Sequence, residues 1–406
     1  MSARLAKRAL ARHIATMSTF RLSRVSLLSV ATLALLACSA ATSSTAPGAD
    51  TPSADTSSAP KSDRGGPDVD PADTSLEDTA SPRADVGEPV LEAPPLPACL
   101  GVSVPLVVSG QGLPYATATV GGAPGWFLLD FATTSSTIDE GAFQGAVAAI
   151  PGTGNQYGAF DFFGPWGAVR LDRQDHSGVS ATVRQAGILG TDFLSLHVYT
   201  LDFRSAGTRN PGIVAQSPGW AVYRAPGGGC DDATLTGLGL RAVSTEGHYS
   251  NDLSEVQGPN VPTVPVRVGG ASAVAQLDTG FDDVLVPGSV NVNEAFFDAI
   301  PDAARGTRRP DLDLALTTCV GIAETVEAWA PDAPFEFVGP GGETVREVDG
   351  VVLFVKRTPA AAAPCGGIGT WDTPAAQVGA TILSGSGVLV FDPLTSRVWM
   401  AGSANE

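Results

Sequence analysis

The stretch AVAQLDTGFDDVLVP, residues 273–287, places an Asp-Thr-Gly turn between two apolar runs. An apolar run that ends at such a turn is typical of a β-strand that delivers its last residues to a loop. A carboxylate in that position is suited to acid–base chemistry, which usually requires a second ionisable group. Asp278 therefore predicts a partner elsewhere in the chain.

A second copy of the stretch supplies this partner. Residues 120–130 read VGGAPGWFLLD and residues 268–278 read VGGASAVAQLD, so Val-Gly-Gly-Ala precedes Leu-Asp at identical spacing in both. Each copy follows a β-type run, and each Gly-Gly suits a tight hairpin turn. The repeat predicts two related β halves and identifies Asp130 as the partner of Asp278.

The correspondence continues downstream of each aspartate. Residues 187–203 read GILGTDFLSLHVYTLDF and residues 377–392 read QVGATILSGSGVLVFD, with Gly190 matching Gly379. A lone Asp-Thr-Gly is weak evidence, but a duplicated context in the same order argues against chance. The short apolar runs between turn signals in the rest of this region indicate an all-β fold.

At these residues the sequence resembles the bilobal, pepsin-like aspartic peptidases, and its compact first half is closer to a retropepsin-like lobe. The resemblance implies a two-lobed acid-protease barrel fold with pseudo-twofold symmetry. It places an N-terminal lobe at residues 98–210, an interlobe segment at 211–260 and a C-terminal lobe at 261–406.

The resemblance also implies the chemistry. Asp130 and Asp278 would share one proton, because two adjacent carboxylates do not readily ionise together, and would activate a water that attacks a peptide bond. Thr279 and Gly280 would brace the second turn, and Thr134 would support Asp130 by a hydrogen bond.

The first turn departs from the family pattern. Phe131-Ala132 stands where Thr-Gly is expected, so no hydroxyl is available at residue 131. In the second half the position of Thr134 is held by Asp282, whose charge would raise the pKa of the pair if it faced the carboxylates. Two outcomes follow: an active peptidase with an altered pair, or a catalytically impaired protein that binds peptides or proteins in the interlobe cleft.

A covering hairpin is expected over such a cleft, and residues 155–169, NQYGAFDFFGPWGAV, have suitable glycines and aromatics. Tyr157 and Trp166 are candidates for contact with substrate. Core packing is an equally good explanation for both side chains.

The N-terminus predicts export. The first 37 residues contain six basic and no acidic residues followed by an apolar run, as in a secretory signal. The run ends at LLAC, which resembles a lipobox. The resemblance implies a bacterial lipoprotein acylated at Cys38 and anchored to a bilayer, with Ser39 favouring the outer membrane. Residues 38–97 contain no Phe, Trp or Tyr and predict a disordered tether.

The remaining cysteines predict disulfides, since an exported protein with an even number of them usually pairs them. They are Cys99, Cys230, Cys319 and Cys365. Three connectivities are possible. We favour Cys99–Cys230 and Cys319–Cys365, because each bridge then lies within or beside one half.

The composition excludes several classes of function. A formal net charge of −18 argues against a nucleic-acid partner. His176, His197 and His248 lie at no metal-ligand spacing, and we expect neither a metal nor an organic cofactor. We expect a monomer that acts on a peptide or protein substrate; a purely structural surface β protein is a third possibility.

Overall fold

The computed structural model describes residues 95–109, 112–180, 183–204, 220–245, 249–252, 256, 258–283 and 286–402. The predicted signal peptide at 1–37, the lipidation site Cys38 and the tether up to residue 94 lie outside the described residues.

The described residues form strands in two mixed sheets, which confirms the all-β expectation. The first sheet contains β1 (Val102–Ser109), β2 (Leu113–Val120), β3 (Ala123–Leu129), β4 (Thr137–Ile138), β5 (Gln156–Asp161), β6 (Pro165–Arg170), β7 (Asp172–Arg173), β8 (Gln185–Leu189), β9 (Tyr199–Asp202), β10 (Ala221–Arg224) and β11 (Leu240–Ser244). The second sheet contains β12 (Thr263–Val268), β13 (Ala271–Leu277), β14 (Ser289–Asn293), β15 (Thr307–Arg308), β16 (Leu314–Thr317), β17 (Ala323–Ala330), β18 (Phe335–Val338), β19 (Thr344–Val348), β20 (Val352–Lys356) and β21 (Ala375–Val378).

The last two strands of the chain return to the first sheet. They are β22 (Val388–Asp392) and β23 (Arg397–Ala401). The strand order β11-β23-β22-β9-β10-β1 places this hairpin between strands of the first half. The segment predicted to link the two lobes contributes β10 and β11 to the same sheet, so both halves of the chain build it together.

Helices are short and lie between the strands. The α-helices of the described residues are α1 (Thr191–Leu194), α2 (Asp232–Gly237), α3 (Glu294–Ala299), α4 (Asp302–Arg305) and α5 (Ala380–Ser384). The 3-10 helices are Ala98–Leu100, Glu140–Phe143, Pro310–Leu312, Ala360–Cys365 and Ile368–Thr370. Within the described ranges, no helix combines the length and apolar character needed to cross a membrane.

Both halves repeat one pairing pattern. β2 and β3 form one antiparallel hairpin, and β12 and β13 form another. In each hairpin a predicted Gly-Gly turn joins the two strands. Gly121-Gly122 and Gly269-Gly270 all have positive φ, which a tight primed turn requires and glycine tolerates. The second strand of each hairpin then pairs in parallel with a later strand, β3 with β8 and β13 with β21.

One large apolar core connects the two halves. It includes Phe127 and Leu201 from the first half and Val266 and Leu353 from the second, all with no exposed surface. Each such side chain contributes about 1.5–3 kcal/mol by leaving water. The core therefore holds the aspartate-bearing strands in a fixed relation.

A disulfide joins Cys99 to Cys230, with the two Cα atoms 5.0 Å apart, which confirms this predicted pairing. It ties the Ala98–Leu100 helix to the loop before α2. Cys319 is also disulfide-bonded. The side chain of Cys365 lies outside the described residues, so its pairing with Cys319 stays a prediction.

Candidate active site

Asp130 and Asp278 occupy matching positions at the ends of β3 and β13. The backbone N–H of Asp130 donates to the carbonyl oxygen of Leu189 at 3.0 Å, and that of Asp278 donates to Val378 at 3.0 Å. Leu189 and Val378 end the parallel partner strands β8 and β21. Asp130 and Asp278 therefore occupy equivalent positions, each directly after a strand of the repeated pairing pattern.

Thr279 and Gly280 bring the second turn against the first. The hydroxyl of Thr279 accepts from the N–H of Phe131 at 3.1 Å and donates to the carbonyl oxygen of Leu129 at 2.6 Å. A Cβ built on Gly280 would lie 2.5 Å from Oδ2 of Asp130. Only glycine allows this approach, so Thr279 and Gly280 both contact the turn that carries Asp130.

The two carboxyl groups are buried and in direct contact. Asp130 is 4% exposed and Asp278 is 1% exposed, and their side chains form a hydrogen bond with each other. The N–H of Ala132 donates to Oδ1 of Asp130 at 2.8 Å, and the N–H of Gly280 donates to Oδ1 of Asp278 at 2.9 Å. Each turn thus orients its own carboxylate by the amide two residues later.

Burial dominates the ionisation of the pair. It raises the pKa of Asp130 to about 6, although the amides of Ala132 and Thr133 and the bond with Asp278 lower it. Burial, followed by the negative charge of Asp130, raises the pKa of Asp278 well above its usual range. The two carboxyl groups therefore titrate as a coupled pair and share one proton over an intermediate pH range.

Phe131 lies in the core. Its ring has no exposed surface and stacks on Phe391, with ring centroids 3.7 Å apart and an interplanar angle of 10°. The side chain at residue 131, where the resemblance led us to expect a hydroxyl, is therefore an aromatic ring stacked in the core. Thr279 supplies a hydroxyl bridge from the second turn to the first, and Phe131 has no hydroxyl with which to form the reciprocal bridge.

Thr134 and Asp282 are both exposed. The expected bond from Thr134 to Asp130 is not among the hydrogen bonds of the described residues; the amides of Ala132 and Thr133 donate to this carboxylate. The charge of Asp282 acts on Tyr115, whose pKa is raised first by burial and then by Asp282 and Asp130. Tyr115 is thus a buried phenol near the pair that the sequence did not indicate.

Two further contacts, missed in the sequence, fix the loops to the short helices. In the first half, Ser136 donates through Oγ to Asp192 of α1 at 2.6 Å. In the second half the roles are exchanged, because Thr381 of α5 donates through its N–H to Asp283 at 3.1 Å and through Oγ1 to the same carboxylate. A hydroxyl–carboxylate pair clamps each loop.

Residues 155–169, which we expected to cover a cleft, form the β5–β6 hairpin. Its role as a cover stays a prediction. Tyr157 is fully buried, and its hydroxyl donates to Glu140 at 2.8 Å. Trp166 donates to the carbonyl oxygen of Phe162 at 2.8 Å and packs against Phe193, with ring centroids 5.1 Å apart. Both aromatics thus pack within the first half, as the core-packing alternative predicts.

A groove of about 630 Å³ runs along the β12–β13 hairpin. Residues that line it include Thr263, Pro265, Val274, Gln276, Trp371 and Pro374. Gln276 lies two residues before Asp278 in the sequence, and neither Asp130 nor Asp278 is among the residues that line the groove. Among the described residues, no group of three or more His, Cys, Asp or Glu side chains is placed to hold a metal ion.

No family model and no curated protein matches this chain.

Proposed function

We propose that this chain is an aspartic endopeptidase of bilobal, pepsin-like and retropepsin-related architecture. The observation that carries the proposal is the buried, hydrogen-bonded pair of Asp130 and Asp278, delivered by two turns with matching backbone contacts. Two carboxyl groups that share one proton supply a base and an acid at the same place.

The ionisation of the pair assigns the two roles. Asp130 has the lower pKa and acts as the base that takes a proton from the attacking water. Asp278 keeps its proton and donates it to the carbonyl oxygen of the peptide bond. The product of this step is a neutral tetrahedral diol. It collapses when Asp130 gives the proton taken from water to the leaving nitrogen, the C–N bond breaks, and Asp278 takes a proton from one hydroxyl of the diol as the carboxyl product forms. The pair returns to its starting ionisation, and no covalent enzyme intermediate is formed.

The groove beside β12 and β13 supports an extended peptide as the substrate. It is mainly apolar, and Gln276, which lines it, lies two residues before Asp278 in the sequence. We further propose that the protein is exported and held at the bacterial outer membrane through acylated Cys38, so that its substrates are peptides or proteins of the cell envelope.

A second candidate is a catalytically impaired protein that binds peptides or proteins in the same cleft. The hydroxyl contacts between the turns favour it, because Thr279 bridges from the second turn and Phe131 supplies no hydroxyl from the first. In this case the cleft still binds peptides but no longer accelerates the hydrolysis of the peptide bond.

Cleavage of a denatured protein from pH 3 to pH 9 tests the proposal. We expect products that disappear with Asp130→Asn, with Asp278→Asn and with a statine-type inhibitor, while the exposed control Asp298→Asn keeps full activity. Cleavage that survives both active-site substitutions contradicts the mechanism. Tight binding of a statine peptide without any cleavage selects the second candidate.

A further inference from the structure

Three carboxamide side chains lie side by side next to Asp278. Gln276 of β13 pairs in register with Gln377 of β21, and Gln377 pairs with Asn291 of β14. Paired residues of neighbouring strands project from the same face of a sheet. A row of amides therefore extends across three strands to the second aspartate.

Hydrogen bonds give this row a direction. Nδ2 of Asn291 donates to Oε1 of Gln377 at 2.8 Å, and Nε2 of Gln377 donates to Oδ2 of Asp278. Because the amide oxygen of Gln377 is occupied by Asn291, its NH₂ group is the end that faces the carboxylate. Asn291 is only 5% exposed, so little water competes for its donor.

The two corresponding positions of the first half carry no side-chain donor. Ile188 precedes Gly190 as Gln377 precedes Gly379, and Leu128 precedes Asp130 as Gln276 precedes Asp278. Leu128 and Ile188 are buried in an apolar cluster. The equivalent positions of the two halves therefore hold apolar side chains before Asp130 and amide side chains before Asp278.

We infer that Gln377, held by Asn291, is a positioning residue that orients Asp278 and sets its strength as the acid of the pair. The inference rests on the proposed function and extends it to the pH range of the reaction. A donor to a carboxylate stabilises its ionised form, so Gln377 makes Asp278 a stronger acid than burial alone would allow. A general acid is most effective when its pKa is near the working pH.

The titratable groups around Asp278 are few. Asp130 faces it from the first turn, and Asp282 and Asp283 follow it on its own loop. Tyr115 of β2 lies near Asp130 and Asp282, whose charges raise its pKa. Burial and the charge of Asp130 raise the pKa of Asp278, whereas the bond from Gln377 lowers it. Asp283 is bound by Thr381.

Gln377→Met tests the inference, because methionine has a similar length and no donor. The carboxyl ¹³C signals of aspartate-labelled protein report the ionisation of the pair without any need for activity. We expect the upper apparent pKa of the pair to rise by about one pH unit and the upper pH limit of kcat/KM to rise with it. We also expect kcat at neutral pH to fall about tenfold, since the acid is weaker.

Asn291→Ala provides an independent variant that keeps Gln377 and removes its anchor, and we expect a smaller shift in the same direction. Gln174→Met is the matched control. It removes the same group at a partly exposed position outside the site and the groove, so the ionisation of the pair should not change. If Gln377→Met does not fold, Asn291→Ala decides the question.

Unchanged titration in the Gln377 and Asn291 variants overturns the inference, whether or not the protein cleaves peptides. A shifted titration in a protein that cleaves nothing refutes the proposed peptidase and leaves the positioning role intact. The two failures are therefore distinguishable.

Discussion

The hydroxyl of Thr279 and the carbonyl oxygen of Leu129 are 2.6 Å apart across 150 residues of sequence. The same hydroxyl accepts from the N–H of Phe131, so one side chain satisfies two buried backbone groups on either side of Asp130. The position of Asp130 therefore depends directly on the turn that carries Asp278.

Thr279→Val removes this contact while keeping the shape of the side chain. We expect a loss of about 2–4 kcal/mol in the free energy of unfolding, because the N–H of Phe131 and the carbonyl of Leu129 lose their shared partner. We expect kcat to fall about 10- to 100-fold as the turns separate. Urea denaturation and cleavage assays measure the two effects. Thr279→Ser keeps the hydroxyl and should therefore retain most of the stability and most of kcat. Equal losses in the valine and serine variants would contradict the bridging role.

Gly280→Ala tests the close approach of the turns. The added methyl group would lie 2.5 Å from Oδ2 of Asp130, so one of the turns must move. We expect kcat to fall about 100-fold or more, since a shift of about 1 Å at reacting groups has effects of this size. Gly228→Ala is the control, because a Cβ there meets no atom within 4 Å. Full activity in Gly280→Ala would show that the turns are not in catalytic contact.

The pH profile of cleavage should differ from that of a strongly acidic peptidase. Burial raises the pKa of Asp130 to about 6, and this carboxylate must be ionised to act as the base. We therefore expect kcat/KM to fall about tenfold per pH unit below about pH 6 and to be highest near neutrality. A profile with its maximum near pH 3 would disprove the assignment of Asp130 as the base.

Stability should also depend on the ionisation of Asp130. Its pKa is about 6 in the folded protein and about 3.9 in an unfolded chain. The folded state therefore holds a proton that the unfolded state has released, so stability is greatest below pH 4 and is lost as the pH rises through 6. Asp130→Asn should gain about 3 kcal/mol over the wild type at pH 7 relative to pH 3.5. Urea denaturation at both pH values measures this difference, and an identical effect at both would rule it out.

The repeated segments made the centre of the fold predictable. The two Gly-Gly hairpins, the strands that end at Asp130 and Asp278, and the Cys99–Cys230 bridge all follow from local turn chemistry or from cysteine counting. Such features depend on neighbouring residues or on a pattern that occurs twice, so a single sequence contains the necessary information.

The contacts that tune the pair were not predictable, because they join distant positions without a local signal. Phe131 stacks on Phe391 in the shared core, and the strand register places Gln377 beside Asn291. Thr134, chosen by resemblance, is exposed, while Thr133 supplies a backbone amide to Asp130. A family motif identifies positions along the chain, whereas the donor to each oxygen depends on packing.

The β22–β23 hairpin follows every strand of the second sheet in sequence and yet lies between β9 and β11 of the first sheet. Without this hairpin, β9 and β11 would each lack a hydrogen-bonded neighbour on one side. An isolated first half would therefore expose unpaired strand edges, at which a strand of another molecule could add.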